Sequence, residues 1–119
     1  MAGRLVALAL FAAVSAGAAA AAPPAAGPCF WVHGRLFAAN GNPTFRVWPI
    51  GSKRILGVGG GEDPALPAPV SALTQPDAFK VDLYGDFRVC PLTRDRPGWM
   101  RMVRINAVRR LLAHTRRPD

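Results

Sequence analysis

Few side chains in this chain have types and spacing that could do chemistry. Cys29 and Cys90 are its only cysteines, and His33 and His114 its only histidines. No Cys, Asp or Glu stands at ligand spacing from either histidine and no Cys-x-x-Cys occurs, so neither a metal nor another cofactor is expected. Ser52 and Ser71 lack a neighbouring base and a nucleophile-elbow sequence, and no two of the seven acidic residues sit in a context that suits paired acid and base roles. No catalytic residue is therefore assigned. An enzyme of unrecognised type is the alternative, and it would need a deep pocket that gathers acidic side chains around His33.

Arginine carries more information. The net charge is +8, and from Pro91 onward eight arginines face only Asp95 and Asp119. The guanidinium fork suits two-pronged contact with phosphate or carboxylate, which makes Arg94, Arg96, Arg101, Arg104, Arg109 and Arg110 the candidate anion-binding residues. For an exported protein the available polyanions are lipid headgroups, lipopolysaccharide phosphates and extracellular nucleic acid. The plainer expectation is a solvated strand face, since exposed strands often carry alternating arginine.

Export follows from the first residues. Arg4 supplies a positive start, Leu5 to Val14 an apolar run, and Ser15 to Ala22 a small-residue stretch, which together read as a secretory leader. Small residues at the cut and Pro23 beyond it favour cleavage after Ala20 or Ala21, giving a signal peptide over 1–21 and a disordered lead-in over 22–28. An uncleaved anchor over Leu5 to Ala22 is the alternative. Secretion or a periplasmic location implies an oxidising compartment, where Cys29 and Cys90 form a disulfide. Such a link closes a loop worth roughly 4 kcal/mol in the chain-entropy account, which matters for one small domain of thin stability margin.

The elements that must hold these residues read as strands. Cys29 to Phe37 alternates, with Phe30, Val32 and Leu36 on one side and Trp31, His33 and Arg35 on the other. Asn40-Gly41 predicts a tight type I′ hairpin into a strand over Thr44 to Ile50. Lys53 to Val58 predicts a third strand. Phe79 to Tyr84 and Phe87 to Cys90 read as two more, joined by a turn or bulge at Tyr84-Gly85-Asp86, with Phe79, Val81, Leu83, Phe87 and Val89 inward. Pro97-Gly98 predicts a type II turn before a last strand over Trp99 to Ala107. Both cysteines fall opposite the apolar parity, so the disulfide is expected on an outer face or sheet edge, with the first strand near the Phe87 to Cys90 strand.

Between them, the Gly/Pro-rich segment 59–78 has no period and predicts a flexible loop; Gly59-Gly60-Gly61 is followed by no Lys-Ser/Thr and makes no phosphate cradle. Residues 108–119 form a basic tail in which Val108, Leu111 and Leu112 have helical spacing, predicting a short amphipathic helix. Trp31 and Trp48 share the parity opposite the core and with Trp99 could make an aromatic binding face; burial in the fold is the ordinary expectation for tryptophan.

Val32-His33-Gly34-Arg35-Leu36 followed by Gly41-Asn42-Pro43, Asp82-Leu83-Tyr84-Gly85-Asp86-Phe87, and Leu92 with Pro97-Gly98-Trp99 resemble the turn signals of transthyretin-like and carboxypeptidase regulatory-like domains. Trp99 follows Gly98 directly, where that family interposes a residue. The phrases HGRL, WPIG and GDFRVCPL are similar to those of small secreted bacterial proteins. The resemblance implies an all-β, Greek-key β-sandwich of about seven short strands with an accessory or binding role. The expected function is a secreted or periplasmic, non-enzymatic binding or envelope-structural module. Its expected partner is an envelope protein or an anionic surface; no nucleic-acid motif occurs.

Overall fold

A computed structural model of the chain describes residues 26–60 and 64–117. The expected signal peptide over 1–21 and most of the expected lead-in over 22–28 lie outside the described residues. The described end of the lead-in is tied down, because Ala26 N–H donates to Pro91 O at 3.0 Å.

Among the described residues five strands close into a barrel: β1 (Phe30–Ala38), β2 (Phe45–Pro49), β3 (Leu56–Val58), β4 (Val81–Pro91) and β5 (Met102–Thr115), in the order β1-β2-β3-β5-β4. Pairing is antiparallel except between β3 and β5, and β1 returns to β4 to complete the ring. The interior is filled by Leu36, Val47, Leu56, Val58, Leu83, Phe87, Val89, Val103 and Ile105, all buried. A closed ring of alternating strands needs only one inward face, so it replaces the expected two-sheet sandwich, and five strands replace the expected seven.

Part of that difference lies at Tyr84-Gly85-Asp86. Leu83, Gly85, Phe87 and Val89 share one parity and are all buried, so the segment is one unbroken strand and not two strands around a turn. Gly85 is there for close approach. A Cβ on it would lie 3.0 Å from Leu111 Cδ2 and 3.2 Å from the carbonyl oxygens of Arg109 and Arg110. The expected inward Phe79 instead sits in a single 3-10 turn, Ala78–Lys80, and is exposed.

The amphipathic helix expected after Ala107 is strand: β5 runs to Thr115. Its ladder with β4 contains two irregularities, each adding one residue to β5, between Arg88/Val89 and between Tyr84/Asp86. Each bulge stretches the inward spacing from two residues to three. Ile105, Val108 and Leu111 all pack on the core at that spacing, which imitates a helical period.

The segment expected to be a flexible loop holds a helix, α1 (Ala68–Thr74). Val70 and Thr74 are its buried pair one turn apart, Val70 joins the barrel core, and the helix packs on β4 and β5. The β1–β2 connection is wider than a two-residue hairpin, with Ala39 N–H bonded to Thr44 O at 2.8 Å and Gly41 at φ 110°. The Pro97-Gly98 turn forms as expected: Gly98 has φ 81° and Trp99 N–H donates to Arg96 O at 3.1 Å.

Cys29 and Cys90 are joined by a disulfide. It lies one step beyond the Phe30–Val89 pair, at the end of the β1–β4 ladder, with Cys90 buried. Among the described residues no helix is long and apolar enough to cross a membrane.

Candidate anion-binding face

Register builds the site. On the outer face of the barrel β1, β4 and β5 lie side by side, so Trp31 neighbours Arg88, and His33 neighbours Asp86, which in turn neighbours Arg109. Simple alternation would send only one of Arg109 and Arg110 outward. The bulge at Arg110, whose φ is +57°, lets both reach the same carboxylate.

Asp86 is the hub. Its Oδ1 accepts from His33 Nδ1 at 3.0 Å, while Oδ2 accepts from Arg109 Nε at 3.3 Å and from Arg110 Nε at 3.1 Å. The hydrogen bond from His33 leads in holding the Asp86 carboxyl below the usual carboxylate range; partial desolvation opposes it, and the charges of Arg110 and Arg109 add to it. Side-chain exposure grades outward from 13% at Asp86 through 55% at Arg109 and 66% at His33 to 79% at Arg110. The carboxylate is thus a floor, and the cations stand above it. Arg109 also lies over the Trp31 ring, 4.1 Å from its centroid, a cation–π contact that fixes the guanidinium plane.

Chemically this is an anchored pair of forks. Both guanidiniums meet Asp86 through Nε, which leaves their terminal amino groups uncommitted by that contact. Two such groups on a rigid sheet can take phosphate, sulfate or carboxylate at little cost in side-chain order.

The six arginines expected to bind anions do not form one patch. Arg94 and Arg96 lie in the exposed β4–β5 loop, Arg96 over the Trp99 ring at 4.9 Å. Arg101 is spent on structure, donating to Thr93 O at 3.2 Å and Ala26 O at 3.4 Å. Arg104 is exposed on β5 opposite Cys90. Only Arg109 and Arg110 converge on a shared partner. Sequence reasoning missed Asp86, whose position opposite the bulge depends on the β4–β5 register. Among the aromatics, Trp48 is half-buried and bonded to Ser52 O at 2.8 Å, whereas Trp31 and Trp99 are exposed, against the ordinary expectation for tryptophan.

A second feature is an open cleft of about 970 Å³ where β4 begins and β5 ends, lined by Phe79, Lys80, Asp82, Tyr84, His114 and Arg116, with others. Of its two arginines, Arg116 is committed: its Nε pairs with Asp82 Oδ1 at 2.9 Å and Nη1 donates to Ala38 O and Phe79 O. Among the described residues no group of three or more His, Cys, Asp or Glu could hold a metal ion. Compared with known proteins, the chain matches no family model, no curated protein and no solved structure.

Proposed function

We propose that this chain is an exported, non-enzymatic binding module that takes an extended polyanion along the outer face of β1, β4 and β5. The observation that carries the reading is the shared anchoring of Arg109 and Arg110 on Asp86 Oδ2, beside Trp31. A carboxylate that merely neutralised one arginine would need no bulge. Here a backbone conformation rare for arginine brings two cations to one acceptor, and bulges that re-aim side chains are common at working sites. The face is open, its cations more than half exposed, which suits a chain-like ligand better than an enclosed small molecule.

Architecture adds support by analogy alone. A five-stranded closed barrel with a helix between its third and fourth strands resembles the OB barrel, which binds oligonucleotides and oligosaccharides on the face of strands 2 and 3 and adjoining loops; the analogy bears on ligand class and not on the face used. The disulfide and the leader-like residues 1–21 support a secreted or periplasmic site of action. The enzyme alternative has one observation in its favour, the His33–Asp86 pair. The cleft at the start of β4 is not lined by His33, and among the described residues no second carboxylate bonds it, so we read the arrangement as scaffolding for the arginines.

Affinity for heparin and for a single-stranded oligonucleotide, measured across a salt series, tests the reading. The double variant Arg109→Ala/Arg110→Ala is expected to bind at least tenfold more weakly with a shallower salt dependence, and Asp86→Asn to weaken binding although it removes a negative charge. Stronger binding by Asp86→Asn would show that only overall charge matters, no effect of the double variant would show that the ligand binds elsewhere, and either would overturn the proposal. Preference between the two probes separates a sulfated sugar chain from a nucleic acid.

A further inference from the structure

The barrel end that carries the β2–β3 and β4–β5 loops has a different character from the sheet face. Trp99 is 65% exposed, and Ile50, Ile55 and Met100 are exposed with it. Ile55, Trp99 and Met100, with Lys53 and Arg54, border one shallow cleft of about 430 Å³ between the two loops. The loops are locked together. Arg54 pairs with Asp95 and its Nη2 donates to Trp99 O at 3.2 Å. The Pro97-Gly98 turn then projects the indole outward, with Arg96 stacked on it.

Exposed apolar side chains gathered around one cleft, with a polar rim, mark an interaction site. The rim says for which partner. Lys53 and Arg54 line the cleft, Arg96 stacks on Trp99, Arg94 is exposed in the same loop, and the one carboxylate in these loops, Asp95, is already engaged by Arg54. We propose that this end of the barrel docks on an anionic lipid bilayer. Tryptophan with its polar N–H and apolar ring prefers the headgroup boundary, isoleucine and methionine enter beside it, and the arginines and lysine meet lipid phosphates. Single charges near such a surface are weak, so the combination of inserted apolar area and basic rim is what produces stable, reversible attachment. The sheet face bearing Arg109 and Arg110 then remains free for its own ligand.

The test uses the protein recovered from the envelope of a Gram-negative host, with every variant in the same background so that the contribution of the N-terminal residues cancels. Co-sedimentation with vesicles of phosphatidylglycerol mixed into phosphatidylcholine is compared with vesicles of phosphatidylcholine alone. Binding to the anionic vesicles is expected to fall at least tenfold in Trp99→Ser/Ile55→Ser and in Lys53→Glu/Arg96→Glu, and to fall far less in Arg109→Ala/Arg110→Ala, which lowers the net charge but leaves this end of the barrel intact. Lipids brominated on their acyl chains should quench tryptophan emission in the parent and much less in Trp99→Phe. All of these residues are exposed, and thermal melts check that the variants fold. Absence of binding, binding that depends on Arg109 and Arg110 but not on Trp99, or concentration-dependent dimerisation abolished by Trp99→Ser would each overturn the proposal, the last by assigning the surface to a second copy.

Discussion

Arg110 Nε lies 3.1 Å from Asp86 Oδ2, and Arg110 reaches it from a backbone at φ +57°. The left-handed region costs a side-chain-bearing residue about 1–2 kcal/mol, whereas glycine enters it freely. Replacement of Arg110 therefore separates strain from contact. Arg110→Ala keeps the strain and loses the contact, and Arg110→Gly loses both. We expect Arg110→Gly to be the more stable of the two by about 1 kcal/mol in denaturant midpoints at unchanged slope. The reverse order would mean that the bulge is not held in this conformation in solution.

Acid should release the same cluster. The carboxyl of Asp86 lies below its ordinary value of 3.8 in the folded chain, so the folded state favours its ionised form. Its contribution is complete above 3.8 and is lost as pH falls through the lower, folded-state value. Thermal melts taken between about pH 5 and about pH 2 are expected to show a larger loss of Tm in the parent than in Asp86→Asn, which has no such proton to gain. Parallel decline of the two would remove Asp86 from the list of groups that sense acid.

Two glycines offer a matched comparison. Gly85 faces backbone carbonyls of β5 that cannot move aside, so Gly85→Ala forces the β4–β5 ladder apart at the bulge. Gly98 has open space around the position of a Cβ, and only its φ of 81° resists a side chain. We expect Gly85→Ala to cost roughly 1–3 kcal/mol and to weaken polyanion binding by displacing Arg109 and Arg110. Gly98→Ala should cost about 1 kcal/mol and leave that face intact. Equal losses of stability and equal effects on binding would contradict the assigned role of Gly85.

Sequence made the inward parity of the strands legible, as in Leu36, Val47, Leu83 and Val89, because period-two alternation is a local property. It also made the Cys29–Cys90 link legible, since two cysteines admit one pairing. Closure was not legible: β3 meets β5 in parallel across a long separation, and nothing in Leu56–Val58 names that partner. The turn alternative at Gly85 failed because glycine serves turns and close approach alike, while the bulge alternative holds with its extra residue on β5; the β5 tail was misread because two bulges convert a strand period into an apparent helical one. For the site, arginine abundance was visible, but convergence on Asp86 is a product of register, which the composition of either strand leaves open.

The helix α1 was hidden among prolines, yet Leu66, Val70 and Thr74 recur at one-turn spacing, and Thr74 Oγ1 donates to Val70 O at 3.0 Å. Val70 is fully buried in the barrel core. A flexible loop would tolerate Val70→Ala and even deletion of residues 66–75, because loop length costs little free energy by itself. A helix that plugs the barrel would not. We expect Val70→Ala to lower stability by roughly 2 kcal/mol through the cavity it leaves, and the deletion to abolish the cooperative unfolding transition. Exposed Leu73 on the same helix supplies the control, with Leu73→Ala expected within about 0.5 kcal/mol of the parent. A Val70→Ala protein as stable as Leu73→Ala would return this segment to the status of a loop.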